Sequence, residues 1–289
     1  MDGVLLVKKP KGCTSHDVVY KVKKLLNTKI GHTGTLDPMA EGVLPLLVGK
    51  GTLCSKYLIN HDKKYIATIQ LGKKTDTGDE EGSIIGEKEV DKKLIEEKNI
   101  NEVLQRFIGE QEQIPPKYSA IKVNGKKLYE YARKNIEVEI KPRRIVIYDI
   151  KLKSFDIEKK QITIEVFCGK GTYIRALCED IAESLNTVGY IKELLRTQVG
   201  DFKIEDCIVL NNTEEDKEKI EKSIISIEEL FAKNPKVDLN DKELKLFLNG
   251  VKLYRNLTDG VYRVYNMEKC FVGLGVMHDG LIKRDVIIF

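Results

Sequence analysis

The chain has no tryptophan, four histidines and seven prolines in 289 residues. It has no apolar run of membrane-spanning length, and the apolar stretch at residues 4–7 is too short for a secretory leader and suits a strand better. Its six cysteines (Cys13, Cys54, Cys168, Cys178, Cys207 and Cys270) are scattered and form no Cys-x-x-Cys pair. That spacing excludes a zinc ribbon and a dense disulfide framework, and it suits small buried thiols in a reducing cytosol. No Gly-x-x-x-x-Gly-Lys-Ser/Thr pattern occurs: Gly49-Lys50-Gly51-Thr52 and Gly169-Lys170-Gly171-Thr172 both fall short, so a nucleoside-triphosphate site is rejected. The acidic turn at residues 75–82 lacks the ligand spacing and closing glutamate of an EF-hand, so no metal is expected. A net charge of +4 is too small to announce a nucleic-acid binder by itself.

What is present is concentrated around residues 31–42, Gly-His-Thr-Gly-Thr-Leu-Asp-Pro-Met-Ala-Glu-Gly. Three glycines and a proline in this span define a loop. Its carboxylate, Asp37, precedes Pro38, which forces it out of the helical region into an extended conformation. A carboxylate on a stiff loop beside glycines reads as a presented nucleophile or base; a plain Asp-Pro turn is the alternative.

Around this loop, residues 4–8 and 43–48 read as buried strands. Ser15 reads as the N-cap of a helix carrying Val18, Val19, Val22, Leu25 and Leu26. Residues 63–71 alternate, with Tyr65, Ala67, Ile69 and Leu71 on one face. That places Tyr65 at the mouth of a strand beside the loop, as a site residue or a packed core tyrosine. Residues 91–107, with Leu94, Ile95, Ile100, Val103, Leu104 and Phe107, predict an amphipathic helix. Residues 145–155 and 161–167 predict strands, and 173–185 a helix. Arg175 sits near that helix's start, where the dipole disfavours a cation, so a specific carboxylate or phosphate partner is expected. Residues 114–144 hold nine basic side chains against three acidic ones, a local excess of +6, with Tyr118, Tyr129 and Tyr131 interleaved. This turn-rich excursion fits nucleic-acid contact as well as a solvated basic face. Residues 206–230 read as a charged connector with a helical end, and Asn234-Pro235 as a boundary before a small unit of short strands.

Four ordered stretches resemble one family. Lys9-Pro10-Lys11-Gly12, the Asp37 loop, Lys63-Lys64-Tyr65 with Thr75-Asp76-Thr77-Gly78-Asp79, and Gly169-Lys170-Gly171-Thr172-Tyr173-Ile174-Arg175 are similar to motifs of the TruB tRNA pseudouridine synthases. The resemblance implies an α+β pseudouridine synthase fold, a mixed and mostly antiparallel sheet flanked by helices, over residues 1–232. Residues 233–289 resemble a small β-rich PUA RNA-binding module. It implies an isomerase that turns uridine into pseudouridine in the T-loop of tRNA (position 55), by base flipping and without a cofactor. It assigns catalysis to Asp37, Tyr65 and Arg175. Around the substrate it places His32, Lys9, Pro10 and Tyr173, together with Lys117, Tyr118, Lys126, Lys127, Tyr129 and Arg133 of an RNA-gripping insertion at about residues 110–144. It further implies a cytoplasmic monomer whose partner is the tRNA T-arm, with no membrane and no obligate protein partner.

Overall fold

The computed structural model describes residues 2–288 apart from Lys92, Leu94, Asn135, Asn212 and Glu214. Its centre is a ten-stranded sheet whose strands are antiparallel except at one junction. Strand Gly3–Lys9 pairs along its whole length with Glu41–Val48. Strand Lys63–Leu71 lies between Gln161–Cys168 and Gly189–Val199. Gly189–Val199 then runs parallel to Glu41–Val48, with Leu195 opposite Glu41 and Arg196 opposite Gly42. Only glycine is tolerated at Gly42: φ is +114°, and a Cβ there would sit 2.1 Å from the Arg196 carbonyl oxygen. This junction joins the two antiparallel halves of the sheet where the Asp37 loop ends.

One face of the sheet carries the larger core, in which Ala67, Ile69, Leu71, Ile162, Ile164 and Val166 pack against Leu177, Cys178 and Ile181 of helix Ile174–Ser184. Strand alternation places these side chains: residues two apart share a face, and that face is the buried one. A second core lies under helix Ser15–Leu26, where Val18, Val19 and Val22 meet Leu5, Val7, Leu44 and Leu46.

Several local expectations are corrected. The N-cap of the first helix is Thr14, whose side chain accepts from the Asp17 N–H while Asp17 caps back, a reciprocal box. The expected helix at residues 91–107 is only Glu97–Gln105; Leu94 lies outside the described residues, and Ile95 is buried without being helical. The helix expected from residue 173 begins at Ile174, with Tyr173 as its N-cap. The stretch 206–230 is more than a connector: Ile225–Ser226 forms the edge of the main sheet against Gly3–Lys9.

Residues 236–287 form a five-stranded sheet with one helix, Asp241–Leu248, around Val237, Phe247, Val264 and Ile282. Leu274 and Val286 of this unit pack on Cys54, Ile227 and Phe231, and Asp285 binds Lys56 and Tyr57. Among the described residues, no helix is long and apolar enough to cross a membrane.

Candidate active site

The Asp37 loop is fixed from several directions. Leu36, Met39 and Ala40 are buried in the larger core. Ser15, freed from capping, is buried and holds the loop instead: its Oγ accepts from the Leu36 N–H at 2.8 Å and donates to the Leu36 carbonyl at 3.1 Å. Lys9 is fully buried, and its ammonium donates to the carbonyls of Pro10, Cys13 and Pro38 at 2.8, 2.6 and 3.2 Å. Burial lowers its pKa, against the pull of Cys13, Asp37 and Glu41. Arg196, also fully buried, donates to the carbonyls of Val43, Gly34 and Thr35 at 2.8, 3.1 and 3.4 Å. Three side chains thus clamp carbonyls and amides on both sides of Asp37, and none of the three takes up its carboxylate.

That carboxylate is held by Arg175. Arg175 Nε lies 3.0 Å from Asp37 Oδ2, with the aspartate side chain 36% exposed and the arginine 7%. The same guanidinium donates to the Thr77 carbonyl at 2.9 Å and the Tyr118 carbonyl at 2.8 Å, and pairs with Asp79 Oδ2 at 3.4 Å. One arginine at a helix start therefore joins the loop, the acidic turn and the basic insertion. Two carboxylates answer the unfavourable helix dipole. Asp79 is in turn fixed by the Thr77 hydroxyl, which donates to Oδ1 at 2.6 Å.

Asp37 opens into a cleft of about 590 Å³ lined by His32, Tyr65, Tyr118, Tyr129, Tyr173, Leu194 and Arg196, among others. Tyr65 is buried, and that burial pushes its pKa up to about 12, although the Arg196 guanidinium pulls the other way. A phenol so shifted stays neutral through the neutral range, so it offers a flat apolar face rather than a base. The pH–rate profile should accordingly show no limb from Tyr65 below about pH 10, and Tyr65→Phe should leave the shape of that profile unchanged. His32 has a buried Nδ1 with no hydrogen-bond partner among the described residues; burial, then the nearby Arg196, lowers its pKa and favours the neutral imidazole.

The insertion enters the cleft through its aromatics. Tyr129 lies between two cations, with Lys127 Nζ 5.3 Å and Arg133 Cζ 5.4 Å from its ring centroid. Tyr173 is pinned at its backbone by Gln113, whose Oε1 accepts from its N–H at 2.8 Å and whose Nε2 donates to its carbonyl at 3.1 Å. Not every expected substrate contact lines the cleft. Lys9 and Pro10 stand behind the loop as supports, because the Lys9 ammonium is consumed by carbonyls. Lys117 lines a separate cavity of about 440 Å³ with Leu128, Tyr131 and Ile136. Lys126, Lys127 and Arg133 lie outside the cleft wall itself. Asp79, Ser15, Lys63, Leu194 and Arg196 carry no site role in the sequence reading, although Lys63 and Asp79 lie in the family motifs and Ser15 reads there as a helix cap. The signal for Arg196 was an arginine in register with buried residues of an alternating strand. Ser15→Ala should cost about 1–3 kcal/mol, since both Leu36 backbone groups lose their partner. It should also lower kcat more than it raises KM; urea unfolding and steady-state rates check both.

A carboxylate gripped by an arginine, open to a cleft with aromatic walls and a basic lip, defines a site for covalent or electrostatic chemistry on a flat ring carried by an anionic polymer. The chain belongs to the TruB family of pseudouridylate synthases: the family model for the N-terminal domain matches residues 22–174. The tRNA pseudouridylate synthase B C-terminal domain matches residues 175–232, and the pseudouridine synthase II TruB C-terminal model residues 235–286. The chain is 45% identical over 286 residues to tRNA pseudouridine synthase B of Clostridium kluyveri, covering 96% of each chain. It is 43% identical over 279 residues to tRNA pseudouridine synthase B of Caldanaerobacter subterraneus, covering 96% of this chain and 95% of that one. A solved Cbf5–Nop10–Gar1 complex contains a chain of similar fold, with TM-score 0.68 and 28% identity over 95% of this chain and 78% of that one. A structure of an H/ACA RNP bound to a substrate RNA contains another, with TM-score 0.69 and 25% identity over 99% of this chain and 85% of that one.

Proposed function

We propose that this protein isomerises uridine to pseudouridine in the T-loop of tRNA, with Asp37 as the catalytic carboxylate. The observation that carries the reading is the Asp37–Arg175 pair, open to the cleft on one side and locked on the other. The reaction breaks the N-glycosidic bond, turns the base and rejoins it through C5. No electrons are gained or lost, so the chemistry asks for no redox cofactor and no ATP. The Asp37 carboxylate either attacks or electrostatically supports the electron-poor partner while the base is detached. Arg175 holds it in place and aims it into the cleft. Tyr65 offers a face on which the extruded base stacks, and His32 stands where the emptied stack needs a filler. Extruding the base costs a few kcal/mol, offset by contacts to the RNA backbone.

The direct test is release of tritium from unmodified tRNA labelled at C5 of uridine, with the modified position mapped. Release from the T-loop uridine supports the whole reading. Release from another uridine keeps the chemistry and changes the substrate. Tight tRNA binding without release makes the protein an RNA-binding factor instead.

In this reading the insertion grips the RNA backbone through Lys126, Lys127 and Arg133, and the small unit at residues 233–289 adds a modest RNA contact of the PUA type. The protein acts as a cytoplasmic monomer on the T-arm. Changing those three insertion residues to Ala together should flatten the dependence of log Kd on log salt by about two to three, because up to three phosphate contacts are lost. An unchanged salt slope would remove the gripping role.

A further inference from the structure

The cleft has a second charged wall that Asp37 and Arg175 do not touch. Lys63 and Tyr65 lie two residues apart on one strand and so face the same side. Arg196 is the cross-strand partner of Tyr65, and all three line the cleft. The Asp37 loop passes close to both cations: a Cβ built on Gly34 would lie 3.7 Å from Arg196 Nη1 and 3.9 Å from Lys63 Cε. The hydrogen bonds of both cations go to neutral oxygens. Lys63 Nζ donates to the His61 carbonyl at 2.6 Å, and the Arg196 donors go to Val43, Gly34 and Thr35. Among the described residues neither has a carboxylate partner, since Asp37 is taken by Arg175. Burial, and then the Arg196 charge beside it, push the Lys63 pKa below the ordinary lysine value, against the weaker pull of Cys168 and Asp62.

Two neighbouring cations, partly removed from water and, among the described residues, without a carboxylate in ion-pair contact, are unfavourable in the free protein. An anion entering beside them relieves that cost. The isomerisation read above generates one. When the C1′–N1 bond breaks, the electron pair stays on the base, and the detached uracil carries a negative charge spread over its ring nitrogens and its O2 and O4. The pair later returns to C1′ through C5, the C5 proton leaves and a proton is added at N1, so the net change is an isomerisation.

We propose that Lys63, backed by Arg196, is the catalytic residue that stabilises the negative charge of the detached base. This rests on the pseudouridine synthase reading. Lys63 holds charge and moves no proton. The strand places its stem beside Tyr65, on whose face the base lies. Arg196 acts differently: its donors are committed to the loop carbonyls, so it positions the loop and adds field. The cleft then divides its labour, with the carboxylate serving the sugar side or the base carbon and the two cations serving the leaving electron pair. Such preorganised charge acts where charge develops and costs no reorganisation at that moment.

The test uses a T-arm stem-loop RNA with either uridine or 5-fluorouridine at the target position, in single-turnover reactions followed by nucleoside chromatography. Fluorine makes the departing base anion more stable, so cleavage needs less help. It also removes the C5 proton, so the measured rate covers only bond breaking and rejoining. Lys63→Met keeps the stem and removes the charge; Lys63→Arg keeps a fixed charge that cannot be lost. The expected result is a fall of about a hundredfold for Lys63→Met on uridine and about tenfold or less on 5-fluorouridine, in the range seen when one charge-stabilising donor is removed. RNA Kd should stay within about threefold, and Lys63→Arg should recover most of the rate. Equal slowing of both substrates, a loss carried by Kd, or an unchanged rate would each overturn the assignment with the functional reading intact. A wild-type protein inert on uridine would overturn the functional reading itself.

Discussion

Asp37→Asn should abolish turnover, by about a thousandfold or more, while leaving tRNA affinity within a few-fold of wild type. The amide is nearly isosteric with the carboxylate, so the loop keeps its shape. The Leu36 backbone remains on Ser15, the Pro38 carbonyl on Lys9 and the Gly34 and Thr35 carbonyls on Arg196. Arg175 keeps Asp79 as its ion-pair partner and the Thr77 and Tyr118 carbonyls as acceptors. What disappears is the negative charge in the cleft, and with it any covalent or electrostatic support of the sugar or base. The measurement is tritium release under single-turnover conditions beside a filter-binding isotherm. Retained turnover would remove Asp37 from the chemistry. A large loss of affinity would instead make it a binding residue. Because the side chain is partly exposed and its clamps lie elsewhere, the unfolding midpoint should barely move.

The same anchoring explains how much of the site the sequence revealed. The loop was legible because proline and glycine fix backbone conformation locally, and such effects need no tertiary context. Tyr65 was legible because strand periodicity assigns faces. Arg175 announced a partner because a cation at a helix start is locally unfavourable, and the fold supplies two carboxylates there, one close by in Asp37 and one unforeseen in Asp79. Arg196 was opaque for the opposite reason. Alternation alone puts an arginine on the buried side of a strand without saying what would satisfy it there; only the tertiary fold brings the Val43 carbonyl of Glu41–Val48 and the Gly34 and Thr35 carbonyls of the loop to its guanidinium. Ser15 misled in an instructive way. Ser15 and Thr14 are both good capping residues, and the choice fell to Thr14 because Asp17 completes the reciprocal box three residues on, leaving Ser15 for the loop. The short helix Glu97–Gln105 shows the limit of periodic reading: Ile95 is apolar at a helical spacing yet reaches the core from a non-helical segment. The small C-terminal sheet, finally, was legible as strands and turns, but the contact of its Asp285 with Lys56 and Tyr57 lay beyond any single-segment pattern.

Arg175→Met should be nearly as damaging as loss of the aspartate, yet for two separable reasons. The first is structural. Arg175 and Asp79 have side chains only 7% and 8% exposed, so deleting the cation leaves a buried carboxylate without its partner, a change that costs about 3–5 kcal/mol. The second is catalytic. Asp37 loses the contact that aims it, and the Tyr118 carbonyl loses the donor that ties the insertion to the cleft. Arg175→Lys should recover little, because a single ammonium cannot span two carboxylates and two carbonyls that the planar fork reaches at once. A double-mutant cycle with Asp79→Asn separates the two effects. Asp79→Asn removes the stranded charge, so the pair Arg175→Met/Asp79→Asn should regain part of the lost stability, with a coupling of about 1–3 kcal/mol by urea unfolding. Its rate should stay about a hundredfold or more below wild type, because nothing in the pair restores the aim of Asp37. If the rate recovers along with that share of the stability, Arg175 is a structural cross-link and the cleft tolerates an unguided aspartate. If stability returns and the rate does not, the arginine orients the catalytic carboxylate directly.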